Sequence, residues 1–125
     1  FYYVHSAQMT NGYYKNYFKE SLNNYITIEK TIKENTNVEA YRFSIQQNIC
    51  HVAAYAVMNE ARNSNKNDAN RIISDVVNNP FVIEAINSNA RKHVNWYFKI
   101  VIHFLRRKKN SMLHILGKMY CAIMQ

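Results

Sequence analysis

The chain has 125 residues, 48% of them hydrophobic, which is enough for one ordinary domain with a packed core. It holds only two glycines and one proline, far below the usual ~7% and ~5%. This scarcity argues against an all-β fold rich in tight turns and excludes a glycine-rich phosphate loop. The net charge of +8 lies entirely in residues 85–125, because residues 1–84 carry eight basic and eight acidic side chains. Such a region attracts phosphates of nucleic acid or of lipid head groups.

The first predicted elements are a short extended segment and two long helices. Residues 1–4 are aromatic and β-branched, which is typical of a strand. Apolar side chains then recur every three or four residues over 13–34 and again over 38–62, which predicts two helices. The second helix is apolar on more than one side, so we expect it at the centre of the fold.

The remaining elements are also helical. Residues 68–77 form a short amphipathic helix, and Pro80 is suited to the first position of another. Apolar periodicity predicts two longer helices over 92–109 and 111–124. We therefore predict an all-α fold, with residues 1–125 forming a single bundle-like domain of five or six helices after a short N-terminal extended segment.

The sequence shows no complete catalytic or metal-binding motif. Cys50 and His51 could join His114 and Cys121 around a metal, but neighbours on a helix point about 100° apart, and neither CxxC nor HxxxH occurs. No Asp-x-Asp pair is present that could hold a metal–nucleotide complex. Two cysteines in apolar stretches do not make a disulfide framework, which favours a reduced, intracellular protein.

The strongest local signal is an aromatic and apolar helix that ends in four cations. On an anionic membrane the aromatic rings would lie at the interface and the cations on head groups. The alternative is a core helix with a solvated basic end, and both interpretations stay open. Nucleic acid is not expected, since no recognised binding module is present. The residues predicted to face a membrane are Trp96, Phe98, Val101, Ile102, Leu105, Arg106, Arg107, Lys108 and Lys109.

Both ends of the chain resemble parts of bacterial family 2 glycosyltransferases. Residues 1–10, FYYVHSAQMT, are similar to the segment that closes their catalytic domain, in which an aromatic strand leads to a His or Arg and then to a Ser or Thr. Residues 97–109, YFKIVIHFLRRKK, are similar to the apolar and then basic tails of many such enzymes. The resemblance covers little of residues 36–90.

The resemblance implies that this chain is the C-terminal helical region of such an enzyme. The parent would transfer a sugar from a nucleotide sugar to a cell-surface polysaccharide or lipid-linked acceptor. The chain begins at Phe1 without an initiator Met, and the catalytic domain with its divalent metal would lie upstream as the partner of this region. No cofactor is expected in this piece, which we expect to be inactive alone.

By resemblance, His5 would lie near the donor or acceptor, with Thr10 as a second candidate, although His5 is equally interpretable as a loop histidine. The region would support the catalytic domain and hold the enzyme in the cytoplasm at the inner membrane face. The alternative is a non-enzymatic helical module that binds a partner or a membrane surface.

Overall fold

The computed structural model describes residues 9–10, 13–35 and 39–123. The described chain opens with a small hairpin, in which β1 (Met9–Thr10) pairs antiparallel with β2 (Tyr13–Tyr14). The predicted helical start at residue 13 is therefore wrong by four positions. Asn16 separates the hairpin from the first helix with φ of 62°, a left-handed conformation that asparagine tolerates better than most residues. The extended segment predicted over 1–4 lies outside the described residues.

Six α-helices follow within the described ranges, which confirms the all-α class and the predicted number of helices. A 3₁₀ helix lies between the fourth and fifth. The elements are α1 (Tyr17–Asn35), α2 (Glu39–Glu60), α3 (Lys66–Asn78), α4 (Pro80–Ile86), the 3₁₀ helix (Asn89–His93), α5 (Trp96–Arg106) and α6 (Asn110–Ile123).

Asparagine side chains begin three of these helices. The Oδ1 atom of Asn65 accepts from the amide of Asp68 at the start of α3, and Asn79 caps α4, whose first residue is Pro80 as predicted. Asn95 caps α5 in the same way. The predicted helix over 92–109 is therefore wrong at both ends, because α5 begins at Trp96 and ends at Arg106.

Helix α2 lies at the centre, as predicted, and contacts each of the other helices. Its buried faces carry many small side chains, including Cys50, Ala53, Ala54 and Ala56, all of them fully buried. Small side chains let neighbouring helices approach closely. At Gly117 on α6, an added Cβ atom would lie 3.2 Å from the Cβ of Ala61. Buried side chains from all six helices join in one continuous core.

Helices α5 and α6 bury a narrower face than the sequence suggested. The apolar stripe predicted for α6 consists of Met112, Ile115, Leu116, Met119, Tyr120 and Ile123. Leu116 is buried as predicted, but Ile115 and Met119 are 49% and 50% exposed. Leu113 and Gly117, which lie outside the predicted stripe, are buried. The apolar periodicity of α6 was broad enough to allow either side, and only the position of α2 selects one.

Candidate functional site

Four consecutive cations lie exposed where α5 ends. Arg106 is the last residue of the helix, and the chain then turns through Lys108, whose φ of 53° is left-handed. The amide of Lys109 donates to the carbonyl of Phe104 at 3.1 Å, and the amide of Lys108 donates to that of Leu105 at 3.1 Å. These two bonds are those of a Schellman motif. The basic turn, which consists of Arg106, Arg107, Lys108 and Lys109, therefore has a defined backbone conformation.

Trp96 lies at the other end of the same helix and is 72% exposed. Its indole contacts the ring of Tyr97 edge-on, with the ring centroids 5.5 Å apart. Tyr97 in turn packs on Tyr120 and donates its hydroxyl to the carbonyl of Leu116. Trp96 thus packs on Tyr97, whose contact with Tyr120 connects α5 to α6.

Three of the residues predicted to enter a bilayer face inward instead. Val101, Ile102 and Leu105 belong to the protein's own core, at 2% exposure or less. Phe98 is half-buried and its ring lies 5.5 Å from that of His51. The prediction of a wide lipid-facing apolar face was therefore wrong, because α5 needs these side chains to pack against its neighbours. Among the side chains of α5 and α6 that the structure describes, the large apolar ones that are exposed are Trp96, Ile100, Ile115 and Met119.

A basic cleft of about 220 Å³ lies between the 3₁₀ helix and α5. Lys99, His103 and Arg106 recur on one side of α5 with spacings of four and three, so they share a face. Arg91 and Lys92 come from the 3₁₀ helix, and the remaining lining residue is Ile102. Among the described residues that line this cleft none is acidic, and the sequence has no acidic residue after Glu84.

Asn87 holds two arginines of this basic cleft. Its side-chain Oδ1 accepts from Nε of Arg106 at 3.0 Å, and its main-chain carbonyl accepts from Nη1 of Arg91 at 3.3 Å. The carbonyl of Ser88 accepts from the same Nη1 atom at 3.0 Å. Both guanidinium groups are thus positioned by neutral acceptors, and neither forms an ion pair with a described carboxylate.

The two residues singled out by resemblance are not brought to this surface by anything the structure describes. His5 lies outside the described residues. The backbone of Thr10 pairs with that of Tyr13 in the hairpin, but its side chain is outside the description. Their assignment to a donor or acceptor site stays a prediction.

Sequence reasoning missed a polar cluster at the end of α2. Both Glu60 oxygens lie 3.0 Å from the hydroxyl of Tyr13, which donates to this carboxylate, and Oε1 also accepts from Nδ2 of Asn63 at 2.9 Å. Nδ2 of Asn63 further donates to Asp68, which pairs with Arg71 at 2.6 Å. Burial raises the pKa of the Glu60 carboxyl above its ordinary value. The signal available in the sequence was an acidic residue, Glu60, at the end of a long and mostly apolar run.

A second cleft, of about 490 Å³, lies beside this polar cluster between α1 and the α3–α4 junction. Its charged groups come from Lys19, Glu60, Arg71 and Asp75, and Arg71 bridges Asp68 and Asp75. The two aspartates, which are seven positions apart in the sequence, are therefore held by one arginine. These ion pairs lie within α3, and it is the Asn63 amide, which donates to both Glu60 and Asp68, that links α3 to the end of α2.

Within the described ranges, no three His, Cys, Asp or Glu side chains come together as metal ligands. The Cys50 thiol is buried and donates to the carbonyl of Ala85 at 3.4 Å, and burial raises the pKa of this thiol to about 11. It therefore behaves as a small core side chain, as predicted. None of the helices in the described ranges combines the length and apolar character needed to cross a bilayer.

No protein family, curated protein or solved structure matches this chain. The geometry of the basic and aromatic surface is therefore the basis for the functional argument.

Proposed function

We propose that this helical domain binds peripherally to anionic membrane surfaces through α5 and α6. The observation that carries the proposal is the exposure of Trp96 and of the cations Arg106–Lys109 at the two ends of one helix. Tryptophan favours the interfacial layer of a bilayer, and lysine and arginine favour anionic head groups. The exposed apolar side chains Ile100, Ile115 and Met119 lie on the same helix pair.

Charge supplies most of the expected affinity. Each cation close to an anionic surface contributes about 1 kcal/mol, so the four cations of the basic turn contribute about 4 kcal/mol. This corresponds to a factor of about a thousand in the binding constant. The apolar contribution is smaller than the sequence suggested, because Val101, Ile102 and Leu105 remain in the core.

Vesicle binding tests this proposal, and the protein carries its own reporter. Trp96 is the single tryptophan in the sequence. Its fluorescence should shift to shorter wavelength with vesicles that contain phosphatidylserine, and should not change with vesicles of phosphatidylcholine alone, because only the anionic vesicles attract the cations. Unchanged fluorescence together with absent co-sedimentation on phosphatidylserine vesicles would contradict the proposal.

Two variants that each lose four positive charges distinguish the effect of the basic turn on binding from the effect of the net charge. Replacing Arg106, Arg107, Lys108 and Lys109 with Gln should abolish most of the binding. Replacing the exposed lysines at positions 15, 19, 30 and 33 with Gln removes the same charge from another part of the chain and should leave most binding intact. Equal loss in both variants would mean that net charge, rather than this surface, controls binding.

Membrane attachment is compatible with either origin considered from the sequence. A C-terminal region of a family 2-like glycosyltransferase would use it to hold a catalytic domain at the inner membrane face, and an independent helical module would use it directly. The glycosyltransferase origin stays a prediction. An α/β domain with an Asp-x-Asp pair encoded upstream of Phe1 would support it, and an unrelated upstream segment would contradict it.

A further inference from the structure

We propose that the basic cleft between the 3₁₀ helix and α5 binds the phosphomonoester head group of a membrane lipid. This inference rests on the proposed membrane function and goes further, because it assigns one lipid chemistry to one site. The membrane function alone requires only a diffuse positive charge. The basic cleft instead concentrates five basic side chains around a space of about 220 Å³.

The lining residues approach the cleft from two elements. Arg91 and Lys92 belong to the 3₁₀ helix, whereas Lys99, His103 and Arg106 project from one face of α5. A group held between them would therefore receive donors from both sides. Because the lining carries cations and no acid, it favours an anion over a metal ion or an amine.

The two arginines are positioned before a ligand arrives. Asn87 accepts from Nε of Arg106 and, through its carbonyl, from Nη1 of Arg91. Among the described residues the Nη atoms of Arg106 and the Nη2 atom of Arg91 have no other hydrogen-bond partner, so they can donate to a ligand. A side chain that is already held loses less conformational freedom on binding, which favours affinity.

A phosphomonoester fits this donor set better than a phosphodiester. It carries a charge between −1.5 and −2 near neutral pH and presents three strong acceptor oxygens. Arginine forks bind such oxygens in pairs, and hydrogen bonds between two charged groups are the strong ones. A phosphodiester head group has one charge and fewer terminal oxygens, so it leaves more of the donors unused.

The test compares two kinds of vesicle with matched electrophoretic mobility. One contains phosphatidic acid, a phosphomonoester, and the other contains phosphatidylserine, a phosphodiester, each in phosphatidylcholine. We expect about tenfold tighter binding to phosphatidic acid, the effect of one additional charge-assisted hydrogen bond. Equal binding to the two vesicles would overturn this inference and leave the membrane function standing. Absent binding to both would overturn both.

Two double variants, each of which removes two positive charges, test whether the cleft residues cause the preference for phosphatidic acid. R91Q/R106Q should lose the preference for phosphatidic acid, whereas R107Q/K109Q, which alters residues outside the cleft lining, should weaken both interactions and keep the preference. An unchanged preference in R91Q/R106Q would overturn the assignment. Asn87→Ala leaves the charge unaltered and should reduce the preference, provided that its thermal unfolding shows an intact fold.

Inorganic phosphate distinguishes a lipid from a soluble ligand. We expect it to displace the protein from phosphatidic acid vesicles only at concentrations far above those of the competing lipid, because the membrane adds the contacts of Trp96 and the basic turn. Displacement at concentrations equal to that of the lipid would overturn the lipid part of the proposal and identify a site for a free phosphate.

Discussion

Asn59 connects the hairpin to the central helix through a single buried side chain. It is 3% exposed, and its amide forms two bonds with the backbone of Tyr14. Oδ1 accepts from the Tyr14 amide at 3.0 Å, and Nδ2 donates to the Tyr14 carbonyl at 2.9 Å. The side chain thus completes the outer edge of β2 in the way another strand would.

Asn59→Asp should lower the free energy of unfolding by about 1–3 kcal/mol, because the Tyr14 carbonyl loses its donor and a carboxylate is buried. Urea unfolding at neutral pH measures the change. Asn48→Asp is the matched control, since Asn48 is exposed on the same helix. A similar small effect for both variants would show that the Asn59 bonds contribute little to stability.

A second prediction follows from the buried Glu60 carboxyl and concerns the pH dependence of folding stability. Its pKa is raised in the folded state, chiefly by burial, above the ordinary value of 4.5. Protonation therefore favours the folded state. The stability of the wild type relative to Glu60→Gln should rise as pH falls from neutral through the raised pKa, and should level off below 4.5.

Urea unfolding of wild type and Glu60→Gln across this pH range tests the sign of this pH dependence. Asp68 serves as the opposite case, because its hydrogen bond with Arg71 lowers the Asp68 pKa below the ordinary value of 3.8. The stabilising contribution of Asp68 is present above 3.8 and is lost as pH falls through its lowered pKa. A wild-type advantage over Glu60→Gln that falls with decreasing pH would contradict the assignment of Glu60 as a destabilising buried charge.

Among the elements, α5 ends in an unusual way. Schellman motifs place a left-handed residue just after the helix, and glycine is the common choice. Here Lys108 occupies that position with φ of 53°. The cation is therefore present at a conformational cost, on the same turn that we propose to bind membranes.

Lys108→Gly should raise the free energy of unfolding by about 1 kcal/mol, because glycine adopts the left-handed conformation without the clash of a Cβ atom. Lys109→Gly removes the same charge at a residue without positive φ and should bring no such gain. Urea unfolding of the two variants provides the comparison. Equal stability changes would mean that loss of a repelling cation, rather than backbone conformation, is responsible.

At the scale of the whole molecule, charge is divided unevenly around one core. The C-terminal third carries the entire net charge of +8, and it includes α5 and α6. Since helix α2 packs against both, the basic surface is attached to the most buried element of the fold.

Association with phosphatidylserine vesicles should weaken steeply with salt, because the screening length falls from about 10 Å at 0.1 M to about 3 Å at 1 M. Co-sedimentation over this range measures the dependence. The part that survives at high salt should decrease in Trp96→Ala, which removes an exposed apolar ring without changing charge. Binding that does not respond to salt would contradict the electrostatic account.

Four properties were predictable from the sequence: the helical class, the central position of α2, the start of α4 at Pro80 and the basic C-terminal third. These properties depend on periodicity, local capping and charge counts, which are present in the chain before it folds. The small residues of α2 also identify it as the helix that many neighbours can approach.

Which apolar side chains remain exposed depends on the packing of the helices and was not predictable from the sequence. Ile102 and Leu105 continue the same apolar run as Ile100, yet the first two enter the core and the third is 38% exposed. Likewise, Arg91 and Arg106 meet through Asn87 although they are fifteen positions apart in the printed sequence. Burial and convergence depend on where neighbouring helices pack, and a local pattern carries no such information.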